Sequence, residues 1–477
     1  MKGELEIFLK KFDELTLNSK QIYENTVFVA CPGKKFDGRD FIEEAIENGA
    51  KGIIFESKNL KKNLNIRVLN LAVTNLKNKL SLIAAKFYDH PSKKISIVGI
   101  TGTNGKTTSA YWLSQCLNNL KSKTAFIGTL GYGELGNFKK SQNTTPSAID
   151  IQRTLNYLSK KEYKNIAMEV SSHGINEKRI DNIEFQQRLF TNFSRDHLDY
   201  HKTMRKYADV KKKFMLSEKK GNIVVNIDDK LGKSIFDESG LADEKKVSFS
   251  IYKKSNIQAL NINIQNNSLN FDLNYYGELF PINLKLIGIF NIYNVLGVIG
   301  CLSAKGFKIN QIINSLKEIK QVPGRAEFIS SNKSLPSIVI DYAHTGDALE
   351  NILKSVRNKE NEKIILVFGC GGDRDKGKRK DMAKVAEKFA DHCIITSDNP
   401  RNENPKDIVE DISKYFKNKP IKILDRKEAI YKAIKIAKKN DVVLIAGKGH
   451  EEFQEIKNKK IYFSDKKVVE DFLKKGS

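Results

Sequence analysis

The sequence predicts an α/β protein built on mostly parallel sheets, and three observations carry that prediction. An apolar β-branched run, Ile95-Ser-Ile-Val-Gly-Ile100, passes through a glycine-rich turn into the helix-like stretch Ser109-Ala-Tyr-Trp-Leu-Ser-Gln-Cys-Leu117. From about residue 326, near-continuous apolar runs alternate with helical stretches, as strands of a sheet buried on both faces do. The length, 477 residues, corresponds to about three domains.

Residues 1–93 form the first block. They hold the strand-like runs Thr26-Val-Phe-Val-Ala30 and Gly52-Ile-Ile-Phe55 and an amphipathic stretch from Phe41 to Gly49. Pro91-Ser92 marks its boundary. Residues 94–325 alternate strands and helices and include a β-rich patch, Ile257 to Leu286, with period-two alternation such as Leu260-Asn-Ile-Asn-Ile264. Residues 326–477 carry the strands Ser337–Asp341, Ile364–Phe368, Cys393–Thr396, Ile421–Leu424 and Asp441–Ala446. Polar clusters follow four of them: Asp341-Tyr-Ala-His-Thr345, Gly369-Cys-Gly-Gly-Asp-Arg-Asp-Lys-Gly377, Ser397-Asp-Asn-Pro-Arg401 and Gly447-Lys-Gly-His-Glu451. Ligands of open α/β sheets bind outside the carboxyl ends of the strands, so four such clusters on one edge mark a site.

Composition narrows the function. The hydrophobic share of 40% is that of a globular chain. No apolar run approaches the ~18–20 residues of a membrane helix. Met1-Lys-Gly-Glu-Leu-Glu-Ile7 mixes acid with apolar residues, unlike a signal peptide. The cysteines, at 31, 116, 301, 370 and 393, are odd in number and lack CxxC spacing. They read as reduced thiols of a cytoplasmic protein rather than a disulfide frame or zinc site. The net charge of +25 is mostly lysine spread along the chain. It shows no Arg/Lys stripe interleaved with aromatics, so the expected partners include neither nucleic acid nor membrane. Such a field favours small polyanionic substrates.

The turn after Ile100 carries the strongest chemical signal. Gly102-Thr-Asn-Gly-Lys-Thr-Thr108 stands between strand and helix, where backbone N–H groups cradle phosphate. Lys106 can reach β/γ-phosphates and the Thr107 hydroxyl can bind Mg²⁺. Strict P-loop spacing needs glycine at position 100, so this is a variant whose first glycine is Gly102. Glu169, ending the apolar run Ile166-Ala-Met-Glu169, sits where a P-loop enzyme keeps a carboxylate for Mg²⁺. Five of the seven histidines (173, 197, 201, 344 and 450) lie in polar clusters, and His197 stands beside carboxylates. In Lys211-Lys-Lys213, helical spacing puts Tyr207, Val210 and Phe214 on the face of Lys211 and turns Lys213 away. A lysine held against apolar surface loses proton affinity and gains a reactive amine.

Together these residues resemble the Mur ligase family, closely its MurE type, over nearly the whole chain. The ordered set is Gly102–Thr108, Asn143-Thr-Thr145, Met168-Glu-Val-Ser-Ser-His173, Asp196-His-Leu-Asp-Tyr-His201, Gly288-Ile-Phe-Asn-Ile-Tyr-Asn294 and Pro323-Gly-Arg325. It continues with Asp341–Thr345, Gly371–Gly377, Asp398–Arg401 and Gly447–Glu451. The resemblance implies three domains: an N-terminal α/β UDP-binding domain (1–93), a central P-loop ATPase domain (94–325) and a C-terminal Rossmann-like α/β domain (326–477) that takes the amino acid. It implies ATP contacts at Gly102, Thr103, Asn104, Gly105, Lys106, Thr107, Thr108, Asn294, Arg325, Asp341 and His344. Thr107 and Glu169 would hold one Mg²⁺. His197 and Lys211, the latter as its carbamate, would hold a second. The UDP-sugar dipeptide would meet Ser19, Asn143, Thr144, Thr145, Ser171 and Arg179. Arg374, Asp398, Asn399, Pro400, Arg401, Gly447 and Glu451 would grip the incoming diamino acid.

The resemblance further implies a monomeric ATP-dependent ligase of acids and amino acids, serving cytoplasmic peptidoglycan precursor synthesis and thus cell shape and division. ATP would phosphorylate the D-glutamate carboxylate of UDP-N-acetylmuramoyl-L-Ala-D-Glu, and an amine would displace the phosphate. Asp398-Asn-Pro-Arg401 resembles the motif version that takes a meso-diamino-dicarboxylic acid, diaminopimelate or lanthionine, because an arginine fork can hold the distal carboxylate that lysine lacks. An L-lysine-adding enzyme and a folylpolyglutamate-synthase-like ligase are the alternatives. The chain departs from the family pattern at Asn18-Ser-Lys20 (usually Asp-Ser-Arg), at Glu177 (usually glutamine), and at Gly346 and Lys380 (usually prolines).

Overall fold

The computed structural model describes residues 2–33, 36–60, 66–141, 143–217, 221–265, 268–329, 335–357, 363–457 and 459–475. Its contacts divide the chain into two compact units, Met1–Gly99 with Ser122–Gln186, and Ile100–Lys121 with Gln187–Ser477. The division does not follow chain order, because the glycine-rich turn and its helix pack with the later residues.

In the first unit, four short parallel strands, Glu14–Thr16, Thr26–Ala30, Gly52–Glu56 and Leu69–Val73, lie side by side in chain order. The predicted runs at 26 and 52 are two of them, fully buried along their lengths. The amphipathic stretch after Phe41 forms the helix Ile42–Glu47, which buries Ile42 and Ala45 against the sheet. Helix Leu76–Phe87 covers the other face through Leu76, Ile83 and Ala84. A second ladder in this unit pairs Thr124–Gly128 with Asn165–Glu169 in parallel and with Gly131–Glu134 in antiparallel fashion.

In the second unit, Gln187–Phe190, Asn222–Asn226, Lys246–Ser250 and Ile257–Gln265 run parallel. Ser268–Tyr275 and Glu278–Leu284 then return antiparallel. Period-two burial in Ser268–Tyr275 matches the alternation expected of the β-rich patch; residues 266 and 267 within that patch lie outside the described residues.

The last sheet has Ser337–Asp341, Val442–Ala446, Ile364–Phe368, His392–Ile395 and Ile421–Lys422 as parallel neighbours in that order. The first four are apolar and largely buried, as their unbroken runs require. The fifth is shorter than its apolar run and exposed, because it is the edge strand. Parallel direction places the four polar clusters at one edge. Beneath them, Arg426 and Asp465 form a fully buried bidentate pair, at 2.7 and 2.8 Å, and Arg426 also donates to the Ala446 carbonyl. Arg426→Ala would strand a buried carboxylate and is expected to cost about 3–5 kcal/mol. A fall in the denaturant midpoint of the full chain would register it, and an unchanged midpoint would count against it.

Candidate active site

The glycine-rich turn of the second unit is shaped by close backbone approach. Gly105, at φ +81°, begins helix Lys106–Asn119, and a Cβ there would lie 2.3 Å from Asn294 Oδ1. Only glycine fits. Asn294 in turn accepts from Ser109 Oγ and donates to Asn291, so helix Ile289–Ala304 is tied to the turn. Thr191 Oγ1 donates to the Asn104 carbonyl, and Asn192 Oδ1 accepts from Asn104 N. Lys106 Nζ lies over the loop, donating to the carbonyls of Gly102 and Thr103 at 2.9 and 2.7 Å. Thr107 Oγ1 accepts from Arg325 Nη2 at 3.0 Å, while the Arg325 guanidinium stacks on Tyr342, 4.2 Å from the ring centre. Asp341 accepts from the backbone N–H groups of Ala326 and Ala343; burial raises its pKa, with Arg325 opposing the rise. Asp347 accepts from Asn104 Nδ2. Of the nucleotide residues expected from the later blocks, Asn294 and Arg325 thus reach the turn and its helix, while Asp341 is tied to the segment after Arg325.

Lys211 stands beside it. The helix Met204–Leu216 buries Tyr207, Lys211 and Phe214, half-buries Val210 and exposes Lys213, as the spacing predicted. Lys211 is 1% exposed, donates to the Gly102 carbonyl at 2.7 Å and sits 4.7 Å from the Tyr207 ring centre. Burial, then the positive charge of Lys106, push its pKa well below the usual lysine range, against the pull of Asp196 and Asp229.

Sequence reasoning quoted Asp196 only as part of a motif, yet it is the hub of the site. His197 Nε2 at 3.4 Å, His344 Nε2 at 3.7 Å and Lys378 Nζ all face its buried carboxylate. Burial opposes its ionisation, but His344, His197 and Lys378 outweigh burial and hold its carboxyl well below the usual range. Lys378 comes from the helix after the second polar cluster and was also missed; its signal was proximity to Asp373-Arg-Asp375. Arg374 of that cluster faces Asp199 at 3.6 Å.

The third and fourth clusters interlock. Arg401, at φ +52°, donates through Nε to Glu455 and through Nη1 to the Gly372 carbonyl. Among the described residues Nη2 has no hydrogen-bond partner. Gly447, at φ +114°, brings the chain so near Asp398 that a Cβ would sit 2.6 Å from Oδ2. Asn399 Nδ2 donates to Glu451 Oε2 at 2.9 Å. Pro400 is buried between Asn399 and Arg401.

The first unit holds the remaining expected residues. Glu169 is fully buried and accepts from Thr129 N and Oγ1. Thr144 Oγ1 bonds to Thr129 Oγ1 at 3.1 Å. Thr145 Oγ1 links the Glu169 carbonyl to Ser171 N, and Ser171 caps the helix Ser172–Asn176. Arg179 donates to the Thr145 carbonyl and pairs with Glu177 at 2.6 Å, so the departure at Glu177 engages the very arginine expected to meet substrate. Asn143 is exposed nearby in sequence, and Ser19 is engaged separately, donating to Glu44. The five cysteines are free thiols; burial raises Cys31 to about 11 and Cys116, Cys301, Cys370 and Cys393 to about 12. Among the described residues no helix is long and apolar enough to cross a membrane.

Comparison with known proteins agrees with this arrangement. The family described as Mur ligase family, catalytic domain matches residues 11–88; Mur ligase middle domain matches 100–302; and Mur ligase, glutamate ligase domain matches 324–449. A UDP-N-acetylmuramoyl-L-alanyl-D-glutamate–2,6-diaminopimelate ligase of Clostridium acetobutylicum is 38% identical over 99% of this chain and 96% of its own. The ligase of the same name from Coxiella burnetii is 40% identical over 94% of this chain and 93% of its own. A solved structure under that name superposes with a TM-score of 0.66 at 28% identity, covering 98% of this chain and 95% of its own.

Proposed function

Because this chain belongs to the Mur ligase family, we propose that it joins a meso-diamino-dicarboxylic acid to UDP-N-acetylmuramoyl-L-alanyl-D-glutamate with cleavage of ATP. The full-length likeness to ligases named for that reaction carries the reading, and Asn399, Arg401 and Glu451 at the sheet edge support it. Diaminopimelate is the first substrate, as in the relatives' names.

The chemistry follows from the charges. A substrate carboxylate attacks the γ-phosphorus of ATP, ADP leaves, and an acyl phosphate forms. The free amine of the diamino acid then attacks the acyl carbon, phosphate leaves, and an amide remains. Lys106 and the N–H groups of the turn meet the phosphates, and Arg325 holds Thr107 in place. Asn294, Asp341 and His344 position the nucleotide. Thr144, Thr145, Ser171 and Arg179 take the sugar-dipeptide, with Ser19 on the uridine side. Thr107 and Glu169 carry the hard oxygen donors that Mg²⁺ takes beside phosphate, and among the described residues no cluster of three or more His, Cys, Asp or Glu forms a dedicated metal cage, as Mg²⁺ sites on phosphates do not need one. When bound, Mg²⁺ offsets the repulsion between carboxylate and phosphate. His197 and carbamylated Lys211 are assigned to a second ion. Domains at 1–93, 94–325 and 326–477 would divide these tasks, a division the three family matches support. The reading places a monomer in the cytoplasm, in peptidoglycan precursor synthesis.

Incubating the purified chain with ATP, the UDP-dipeptide and each candidate amino acid tests it. Phosphate release and a product heavier by one diaminopimelate residue are expected. ATP hydrolysis indifferent to the UDP-dipeptide would overturn it. Lys106→Ala is expected to lower ligation by at least about 10²-fold. Calorimetric binding of the UDP-dipeptide should stay near normal, since Ser19, Thr144 and Arg179 lie in the other unit; equal loss of both would contradict the assignment.

A further inference from the structure

We propose that Lys448 is a positioning residue for the amino-acid substrate, fixing which oxygen of Glu451 and which end of the Asn399 amide meet the ligand. The inference rests on the reading above, in which Asn399 and Glu451 hold the diamino acid.

Lys448 follows the strand Val442–Ala446 by one glycine, and its side chain is wholly buried. Nζ donates to Asn399 Oδ1 at 3.1 Å and to Glu451 Oε2 at 3.0 Å. Asn399 Nδ2 donates to the same Oε2 at 2.9 Å, closing a ring of three side chains. Glu455 N also donates to Asn399 Oδ1, at 3.0 Å. Two donors therefore point the amide oxygen inward, and the amide cannot flip without losing both.

The ring uses Oε2 of Glu451 and both the oxygen and one N–H of Asn399. Among the described residues Oε1 of Glu451 has no hydrogen-bond partner. One carboxylate oxygen and the second N–H of Asn399 are thus left for a ligand. An acceptor beside a donor suits an α-amino carboxylate, with ammonium on Oε1 and carboxylate on the amide N–H. The buried ammonium donates to the amide oxygen and offsets the Glu451 charge at once; without it the amide oxygen keeps only Glu455 N and the carboxylate only Asn399 Nδ2, so both groups are held less firmly. Lys448 itself has no donor aimed at substrate in this account, so it acts through its two neighbours.

The test measures all three substrates. Lys448→Met keeps the length of the side chain and removes the donor. The KM for meso-diaminopimelate should rise about 10- to 100-fold, the range for a lost charged hydrogen bond. The KM for ATP and for the UDP-dipeptide should stay within about twofold. In a Glu451→Gln background the same substitution should add less than about threefold, because the two act as one unit. An unchanged diaminopimelate KM, an equal rise in all three KM values, or full additivity would each overturn the proposal. If Lys448→Met does not fold, Lys448→Arg replaces it: the guanidinium keeps the charge, but its longer, planar fork cannot put a donor where Nζ stands between Asn399 Oδ1 and Glu451 Oε2, and the same KM split is expected. A wild-type chain that ligates no diamino-dicarboxylic acid would instead overturn the reading on which the proposal rests.

Discussion

Lys211→Ala is expected to lose about 10²–10³-fold or more in turnover, the scale for removing one key electrostatic group at a reacting centre. The reason lies in what surrounds the amine. Burial and the neighbouring charge of Lys106 disfavour the ammonium and favour the neutral amine, the form that would add CO₂. The addition forms an N–C bond, releases the one proton displaced from nitrogen and turns a buried neutral amine into a carbamate anion. That carboxylate would stand near the Gly102 carbonyl and the phosphate turn, where it would offer oxygen donors to the proposed second magnesium ion. Short carboxylates such as acetate or propionate should restore part of the activity of the alanine variant by occupying the vacated volume. Near-normal turnover without rescue would refute the carbamate. Loss of activity accompanied by a lower Tm, with no response to carboxylates, would mean that Lys211 serves packing alone.

L-Lysine should be used about 10⁴-fold less efficiently than meso-diaminopimelate, measured as the ratio of kcat/KM. The physical cause is the distal carboxylate. Arg401 spends Nε on Glu455 and Nη1 on the Gly372 carbonyl, so its Nη2 is the donor turned over to a ligand. A substrate without the second carboxylate leaves that donor unpaired in a half-buried site, and such a mismatch discriminates far more strongly than a missing methylene. The same argument predicts weak discrimination, about 10–200-fold, between diaminopimelate and meso-lanthionine, which differ by a thioether for a methylene. Arg401→Lys should sharply weaken use of both, because a point charge cannot hold Glu455, the Gly372 carbonyl and a ligand at once. Efficient ligation of L-lysine by the unaltered chain would refute the assignment.

Local pattern determined a great deal of this protein. The strand–turn–helix at 95–117, the parallel run of strands after residue 326 and the buried face of Lys211 all follow from periodicity and glycine placement, because each is a property of ten to twenty contiguous residues. Parallel direction alone then sends four polar clusters to one edge. Tertiary structure decided what contiguous pattern cannot carry. Asp196 and Lys448 looked like charges inside motifs, and Lys378 stood just past one; the first two are buried and the third half-buried because partners arrive from segments about 50 to 180 residues away. Arg401 was expected to present an open fork, and packing against Glu455 and Gly372 leaves it one nitrogen. Compactness, too, groups the turn and its helix, Ile100–Lys121, with later residues rather than with those that follow at once, since burial depends on which surfaces meet and not on chain order.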